Sequence, residues 1–492
     1  MSGSASTSGR GGPGSVPKDG AGAFFLAAAL ALGLLRFLRL SHWSLWLDEV
    51  YTWADAHEPL EAGRLANPLG YAAIRATVAL LGGFPGELEL RALPALVGWL
   101  TIPLAYWAAR PFAGARRAGL AALLVAVSAW HVYWSQNARF YTLAQAAGLI
   151  GAGLVWRGLL GGGAARVAGG ALIAALGVLF HPSAALLLGA LVASALCVPH
   201  LARGTPRELR RGARILGGLA LVAGLAGAVW MLGAFATYLQ AKGIHGGAAR
   251  LSSLGHLALT LGFYVTPLWC VGFLLGALQI ARRREPFAVG VVLAVVAGVA
   301  TAALAALVVR VTAQYVFVLL PLVALVVAWP VGSPEDEGAQ GGARMRGLAL
   351  GYAALLSIVS LADTGLYFAV RHGERPRWRE AFHFVWSQRD EHDLVFALAA
   401  PIAEHYLVPG ATDLRSPTCV AWLNKWNPTP PQRWLEYPRR VWLVIQQENL
   451  EDFARADRDD LRAYLREECR LVRRFPVPAI GRDQSVEVYL RE

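Results

Sequence analysis

The chain predicts an all-α polytopic membrane protein with about eleven transmembrane helices and a small C-terminal extracytoplasmic α/β domain. Three observations carry that expectation. The 492 residues are 56% hydrophobic and only 16% charged, with mean hydropathy +0.44, too apolar for a soluble globular chain. Apolar runs of bilayer length recur from residue 22 to residue 370. Beyond about residue 371 the pattern changes to charged helical stretches alternating with short β-rich runs.

Residues 1–21 are rich in Gly, Ser and Pro and read as a disordered cytoplasmic tail. The tail is too long and too weakly basic for a cleaved signal peptide, so the run that follows reads as a retained first span. Candidate spans fall near 22–40, 91–109, 118–134, 140–157, 166–181, 183–199, 214–236, 257–280, 286–309, 313–330 and 347–370. Alternating them places Arg110, Arg116, Arg117, Arg157, Arg166, Arg203 to Arg214, Arg282 to Arg284, Arg344 and Arg346 on one side. Lysine and arginine favour cytoplasmic loops, so that side is the cytoplasm. This also explains the net charge of +12 without nucleic acid as a partner.

The same alternation puts the loop 41–90, the turn Ser135–Tyr141, the His181 turn, the loop 237–256, the Arg310–Gln314 turn and residues 371–492 together outside. Within the first of these loops, Val50–Leu65 and Pro68–Leu81 have the spacing of helices lying along the interface, next to Trp43, Trp46, Tyr51 and Trp53. In the C-terminal domain, Trp378–Gln388 and Leu450–Glu468 read as helices, and Asp393–Leu398, Val441–Gln446 and Ser485–Leu490 as strands. The segment Trp422–Trp434 reads as an ordered loop whose Trp residues either pack or stack on a sugar. Cys197 and Cys270 fall in apolar runs, whereas an outside location leaves Cys419 and Cys469 able to pair or to stay free.

The stretch Ser44–Trp53 holds two adjacent acids, Asp48 and Glu49, where a span surfaces; carboxylates are costly to desolvate there, so they mark a candidate site. With Leu47-Asp48-Glu49, three further motifs occur in register over the first 160 residues: Asn67-Pro-Leu-Gly-Tyr71, Glu89-Leu-Arg91 through Gly98, and Ser135-Gln136-Asn137-Ala138-Arg139-Phe140-Tyr141. Together they resemble the polyprenyl-phosphate-sugar glycosyltransferases of the GT-C fold, specifically the protein O-mannosyltransferase and aminoarabinose transferase relatives. Gln314-Tyr315 before Pro321 is a looser echo, at a position where relatives often carry an Arg-Tyr pair.

The resemblance implies transfer of a hexosyl or pentosyl group from a polyprenyl-phosphate donor to a protein, lipid or glycan acceptor, at the outer face of the cytoplasmic (inner) membrane. It gives Asp48 the part of general base in an inverting transfer, with Glu49 second, and suggests Arg139 for the donor phosphate, because a guanidinium fork matches phosphate oxygens. Tyr141, Gln314 and Arg310, one helical turn before Gln314, complete the expected phosphate set. His181, Tyr71 and Asn137 are the expected substrate contacts, and Arg91 leans toward a structural role. Asn137 stands where relatives often have an acid, which weakens the case for a divalent metal, and no cofactor is otherwise implied. His131, near the end of the third span, is a weaker contact candidate than His181, and His245 and His256, which flank a Gly-rich outside loop, lack the clustered acids or cysteines of a metal site.

Other classes remain: a lipid or solute transporter or flippase, a glycan polymerase or ligase, and an anchored binding protein acting through residues 371–492. Transporters place polar residues and broken helices near the bilayer midplane. Here the polar motifs sit at span ends on one side, which favours transfer.

Overall fold

A computed structural model describes residues 20–492 except 58–66, 84, 162, 203–206, 209, 220–246, 309–310, 333–341, 412, 425–438, 452 and 480–481. The expected amino-terminal tail, most of the span 214–236, Arg310, His245 and most of Trp422–Trp434 therefore lie outside the described residues.

Among the described residues, seven helices are long and apolar enough to cross a membrane, or eight if one bent pair is a single span. The chain is a multi-pass membrane protein. The difference from eleven has local causes. Expected spans two and three form one 40-residue element, Glu87–Ala126, interrupted at Gly114 (φ 80°, ψ 165°). Thr101 and His131 are thirty residues apart, ~45 Å along a straight helix at 1.5 Å per residue, yet Thr101 Oγ1 lies 3.0 Å from His131 Nε2. The element is thus a hairpin of two antiparallel helices, and glycine supplies the positive φ at its tip. The fifth expected span, Ala164–Phe180, has 17 residues and is slightly short. The eighth is broken: Leu251–Val265 and Pro267–Arg283 meet at 89°. Pro267 disfavours helical backbone at the preceding residue, and Thr266 takes φ 64°, ψ 147° there.

Label Gly20–Gly33 α1, Leu47–His57 α2, Pro68–Leu80 α3, Glu87–Ala126 α4, Ala129–Ser135 α5 and Tyr141–Gly161 α6. The chain leaves helical geometry at Val127–Ser128, which frees the carbonyls of the preceding turn. Fully buried Arg36, just after α1, takes them up: its Nη2 donates to Val125 O at 2.8 Å and its Nη1 to Ala126 O at 2.9 Å. Arg36 also reaches His131 Nδ1 at 2.9 Å, and His131 Nε2 lies 2.8 Å from Gln145 Oε1, so His131 is a hydrogen-bonded packing hub. This network holds α5 and the following Ser135–Tyr141 turn against the first span.

Residues beyond the last span, Gly342–Ala369, build the expected α/β unit. Its strands are β1 (Leu394–Ala397), β2 (Ala421–Trp422), β3 (Val441–Gln446), β4 (Arg470–Phe475), β5 (Pro478–Ala479), β6 (Arg482–Asp483) and β7 (Val486–Arg491). Five form a sheet in the order β2-β1-β3-β7-β4, parallel across β2, β1 and β3 and antiparallel at β7 and β4. Strand side chains alternate between faces. Val441, Leu443 and Ile445 accordingly join Leu461 and Leu465 of the helix Arg455–Glu467, while Trp442 and Val444 join Phe382 and Val385 of Trp378–Gln388.

The second of these clusters continues through Val50, Trp53, Ile74, Val78, Ala138 and Phe140. One apolar core therefore joins the C-terminal sheet to α2, α3 and the turn before α6. Polar contacts fasten the same seam: Tyr406 Oη donates to Glu87 Oε1 at 2.8 Å and accepts Leu45 N–H at 2.7 Å, and Arg379 Nη1 reaches Glu87 Oε1 at 3.0 Å. Cys419 and Cys469 are free thiols, and the sheet separates them: Cys419 packs with the cluster on one face and Cys469 with the cluster on the other.

Candidate active site

Adjacent residues on a helix point about 100° apart, so Asp48 and Glu49 at the start of α2 meet different surroundings. Glu49 turns inward and is fully buried. Its Oε1 accepts from Arg91 Nε and from Ala138 N–H, both at 2.8 Å, and its Oε2 from Arg91 Nη2 at 2.6 Å. The remaining Arg91 donors go to the carbonyls of Leu40 (2.8 Å), Trp43 (2.9 Å) and Ser44 (2.9 Å), so all five N–H bonds are used. Arg375 adds a second cation, its Nε 4.0 Å from Glu49 Oε2, while its guanidinium lies over the rings of Trp43 (5.6 Å) and Tyr133 (5.2 Å) and bonds Gln136 O. Gly373 makes this approach feasible: φ is 63°, and an added Cβ would stand 2.6 Å from the Trp43 ring.

Burial alone would raise the Glu49 carboxyl, but Arg91, then Arg375 and the Ala138 N–H, outweigh it and hold the group below its ordinary value. A carboxyl depressed in the folded state contributes stability above the unfolded value near 4.5, and loses it as pH falls further. The folded protein is accordingly expected to lose stability below pH ~4.5, read as a falling Tm in detergent, beyond the loss seen for a variant with both Glu49 and Arg91 made apolar.

Asp48 turns the other way. Its side chain is 43% exposed, and its closest ion-pair approach is 4.0 Å to Arg139 Nη2, longer than a hydrogen bond. Arg139 is anchored elsewhere, through Nη1 to Thr52 Oγ1 (3.0 Å) and to Asp48 O (3.4 Å). A carboxylate and a separately anchored guanidinium thus stand side by side without neutralising each other by direct hydrogen bonding.

Tyr141, at the start of α6, packs its ring 4.1 Å from that of His181, which lies 6.2 Å from Tyr315. His181 occupies the turn between Ala164–Phe180 and Ala184–Leu201 and is buried. Ser183 N–H donates to His181 Nδ1 at 3.1 Å, which requires a lone pair there, so the imidazole is neutral and Nε2 carries its proton. Asn137 is fully buried, with Oδ1 accepting from Trp46 Nε1 at 3.0 Å. Tyr71 donates to Asp55 Oδ2 at 3.0 Å.

Of the residues expected from sequence, Asp48, Arg139, Tyr141 and His181 are brought together. Glu49 and Asn137 form the wall behind them, Tyr71 stands to one side, and Gln314 is half-buried beside Tyr315. Arg375, Thr52 and Tyr315 were not singled out as site residues. Thr52 follows Asp48 by four residues, a helical spacing visible in sequence, whereas Arg375 is 326 positions from Glu49 and only the tertiary fold joins them. Among the described residues no three His, Cys, Asp or Glu side chains converge as metal ligands.

No family model and no curated protein sequence matches the chain. Solved structures do. Over 96% of this chain and 98% of its own, ArnT from Cupriavidus metallidurans bound to undecaprenyl phosphate superposes with a TM-score of 0.54 at 14% identity. The chain has the GT-C fold. The Archaeoglobus fulgidus oligosaccharyltransferase with Zn and sulfate aligns over 89% of this chain and 71% of its own, with a TM-score of 0.51 at 13% identity. The same enzyme, AglB, with an inhibitory peptide and a dolichol-phosphate gives 0.50 at 12% identity, over 86% and 69%.

Proposed function

We propose that the chain is an inverting membrane glycosyltransferase that moves a sugar from a polyprenyl-phosphate donor to an acceptor at the extracytoplasmic face of the cytoplasmic membrane. The observation that carries this reading is the pairing of half-exposed Asp48 with the separately anchored Arg139 across 4.0 Å. The fold likeness supports it, since one solved neighbour holds undecaprenyl phosphate and another a dolichol-phosphate.

In this reaction Asp48 takes the proton of the acceptor hydroxyl as its oxygen attacks the anomeric carbon. The bond from that carbon to the phosphate oxygen breaks on the opposite face, and the phosphate leaves with the electron pair. Arg139 meets the charge that develops on it, with the His181 Nε2–H as a neutral donor nearby. Glu49 and Arg91 are positioning residues: they set the start of α2 and the turn that carries Arg139.

The Arg139→Ala variant should raise the donor KM about 10- to 100-fold, the size of a lost hydrogen bond to a charged group. Donor kinetics equal to wild type would remove Arg139 from the phosphate site. For orientation, exposed Ala421 replaced by Cys in a background lacking the four native cysteines should react with an impermeant maleimide in intact cells. Reaction only after lysis would place the C-terminal unit in the cytoplasm.

A further inference from the structure

The face of α2 that carries Asp48 does not end there. Residues three, four and seven positions on, Tyr51, Thr52 and Asp55, lie along the same stripe of the helix. Thr52 holds Arg139, as described above. Tyr51 and Asp55 are met by the C-terminal unit: the Trp422 ring lies 6.3 Å from the Tyr51 ring at a 45° tilt, and Arg415 pairs with Asp55. Trp422 sits on β2, the edge strand of the sheet, with its Nε1 bonded to Leu398 O at 3.2 Å, which fixes the ring. Tyr51 and Trp422 are both only half-buried. Asp55 is doubly held, by Arg415 and by the Tyr71 hydroxyl.

We infer that this stripe is an acceptor subsite and that the acceptor is a carbohydrate, bound against Tyr51 and Trp422 with its hydroxyls toward Asp55 and Arg415. The inference rests on the transfer reading proposed above. Two tilted aromatic faces give the apolar surface on which the C–H face of a pyranose packs, and a carboxylate beside a guanidinium offers acceptors and donors for neighbouring hydroxyls. The position follows from the chemistry: the subsite starts one helical turn from Asp48, so a sugar held there brings a hydroxyl toward the base. Ordinary packing of the C-terminal unit on α2 explains a buried ring pair. It does not explain why rings left partly open to solvent and a polar pair continue the Asp48 stripe.

The test uses the full-length protein in nanodiscs with a panel of methyl glycosides and disaccharides as acceptor probes. Trp422→Leu keeps an apolar side chain at the seam and removes the flat ring. The expected result is a sugar-dependent, saturable change in tryptophan fluorescence for wild type that Trp422→Leu loses. The same variant should raise the acceptor KM about 10-fold, the upper range for one aromatic contact. Its donor KM should stay at the wild-type value, with a small fall in Tm from the lost Nε1 bond to Leu398 O. Transfer to peptides but to no glycan, an unchanged acceptor KM in Trp422→Leu, or a changed donor KM would each overturn the inference. Failure of the transfer reading itself is separately visible, because lipid phosphate would then be released from no donor even by wild type.

Discussion

Replacing Asp48 with Asn is expected to lower kcat for transfer about 10²- to 10⁴-fold, the range for losing a general base. Donor binding should be retained. Asn is isosteric with Asp but cannot take the acceptor proton, and Asp48 makes no buried ion pair whose loss would unfold α2: its side chain is 43% exposed and 4.0 Å from Arg139. Binding of a polyprenyl-phosphate sugar, followed by isothermal titration, therefore separates the catalytic loss from a structural one. A variant that turns over at the wild-type rate would remove Asp48 from the mechanism.

The neighbouring carboxylate should behave in the opposite way. Glu49→Ala is expected to destabilise the protein by about 3–5 kcal/mol, the cost of leaving one partner of a buried ion pair uncompensated. Glu49 and Arg91 are both fully buried, and Arg91 would keep its charge with three backbone carbonyls as its remaining partners. The loss would be read as a large fall in Tm and poor recovery from membranes, not as a folded enzyme with low kcat. A double variant, Glu49→Leu with Arg91→Met, should recover much of the stability, because apolar replacement of a buried pair is often neutral. A stable, inactive Glu49→Ala protein would instead give Glu49 a direct part in the chemistry.

The apolar runs were legible in their hydropathy, and the strand Val441–Gln446 in a short run rich in β-branched and aromatic residues. The hairpin at Gly114 was anticipated as two spans, since Arg110, Arg116 and Arg117 interrupt the apolar run, although the helical backbone runs almost unbroken across it. The 89° break at Thr266 was legible only in part: Pro267 marks it, but hydropathy runs straight through. In the site, the motif Asp48-Glu49 was visible, yet which acid faces solvent depends on the azimuth of α2. That azimuth is set by Arg91, Arg375 and the Ala138 N–H, groups 42, 326 and 89 positions away from Glu49. Similarly, Trp422 drew attention as one of a cluster of aromatic residues, but only the sheet order brings β2 beside Tyr51.

The central proposal is that Asp48 takes the acceptor proton as the sugar leaves a polyprenyl phosphate. The most direct measurement incubates purified protein with a panel of undecaprenyl-phosphate sugars and a membrane glycan extract as acceptor, and follows release of undecaprenyl phosphate. The account predicts release from at least one donor by wild type and release reduced at least a hundredfold with Asp48→Asn, in line with loss of a general base. Equal release by the two proteins, or consumption of a nucleotide sugar with every lipid-linked donor left intact, would contradict it.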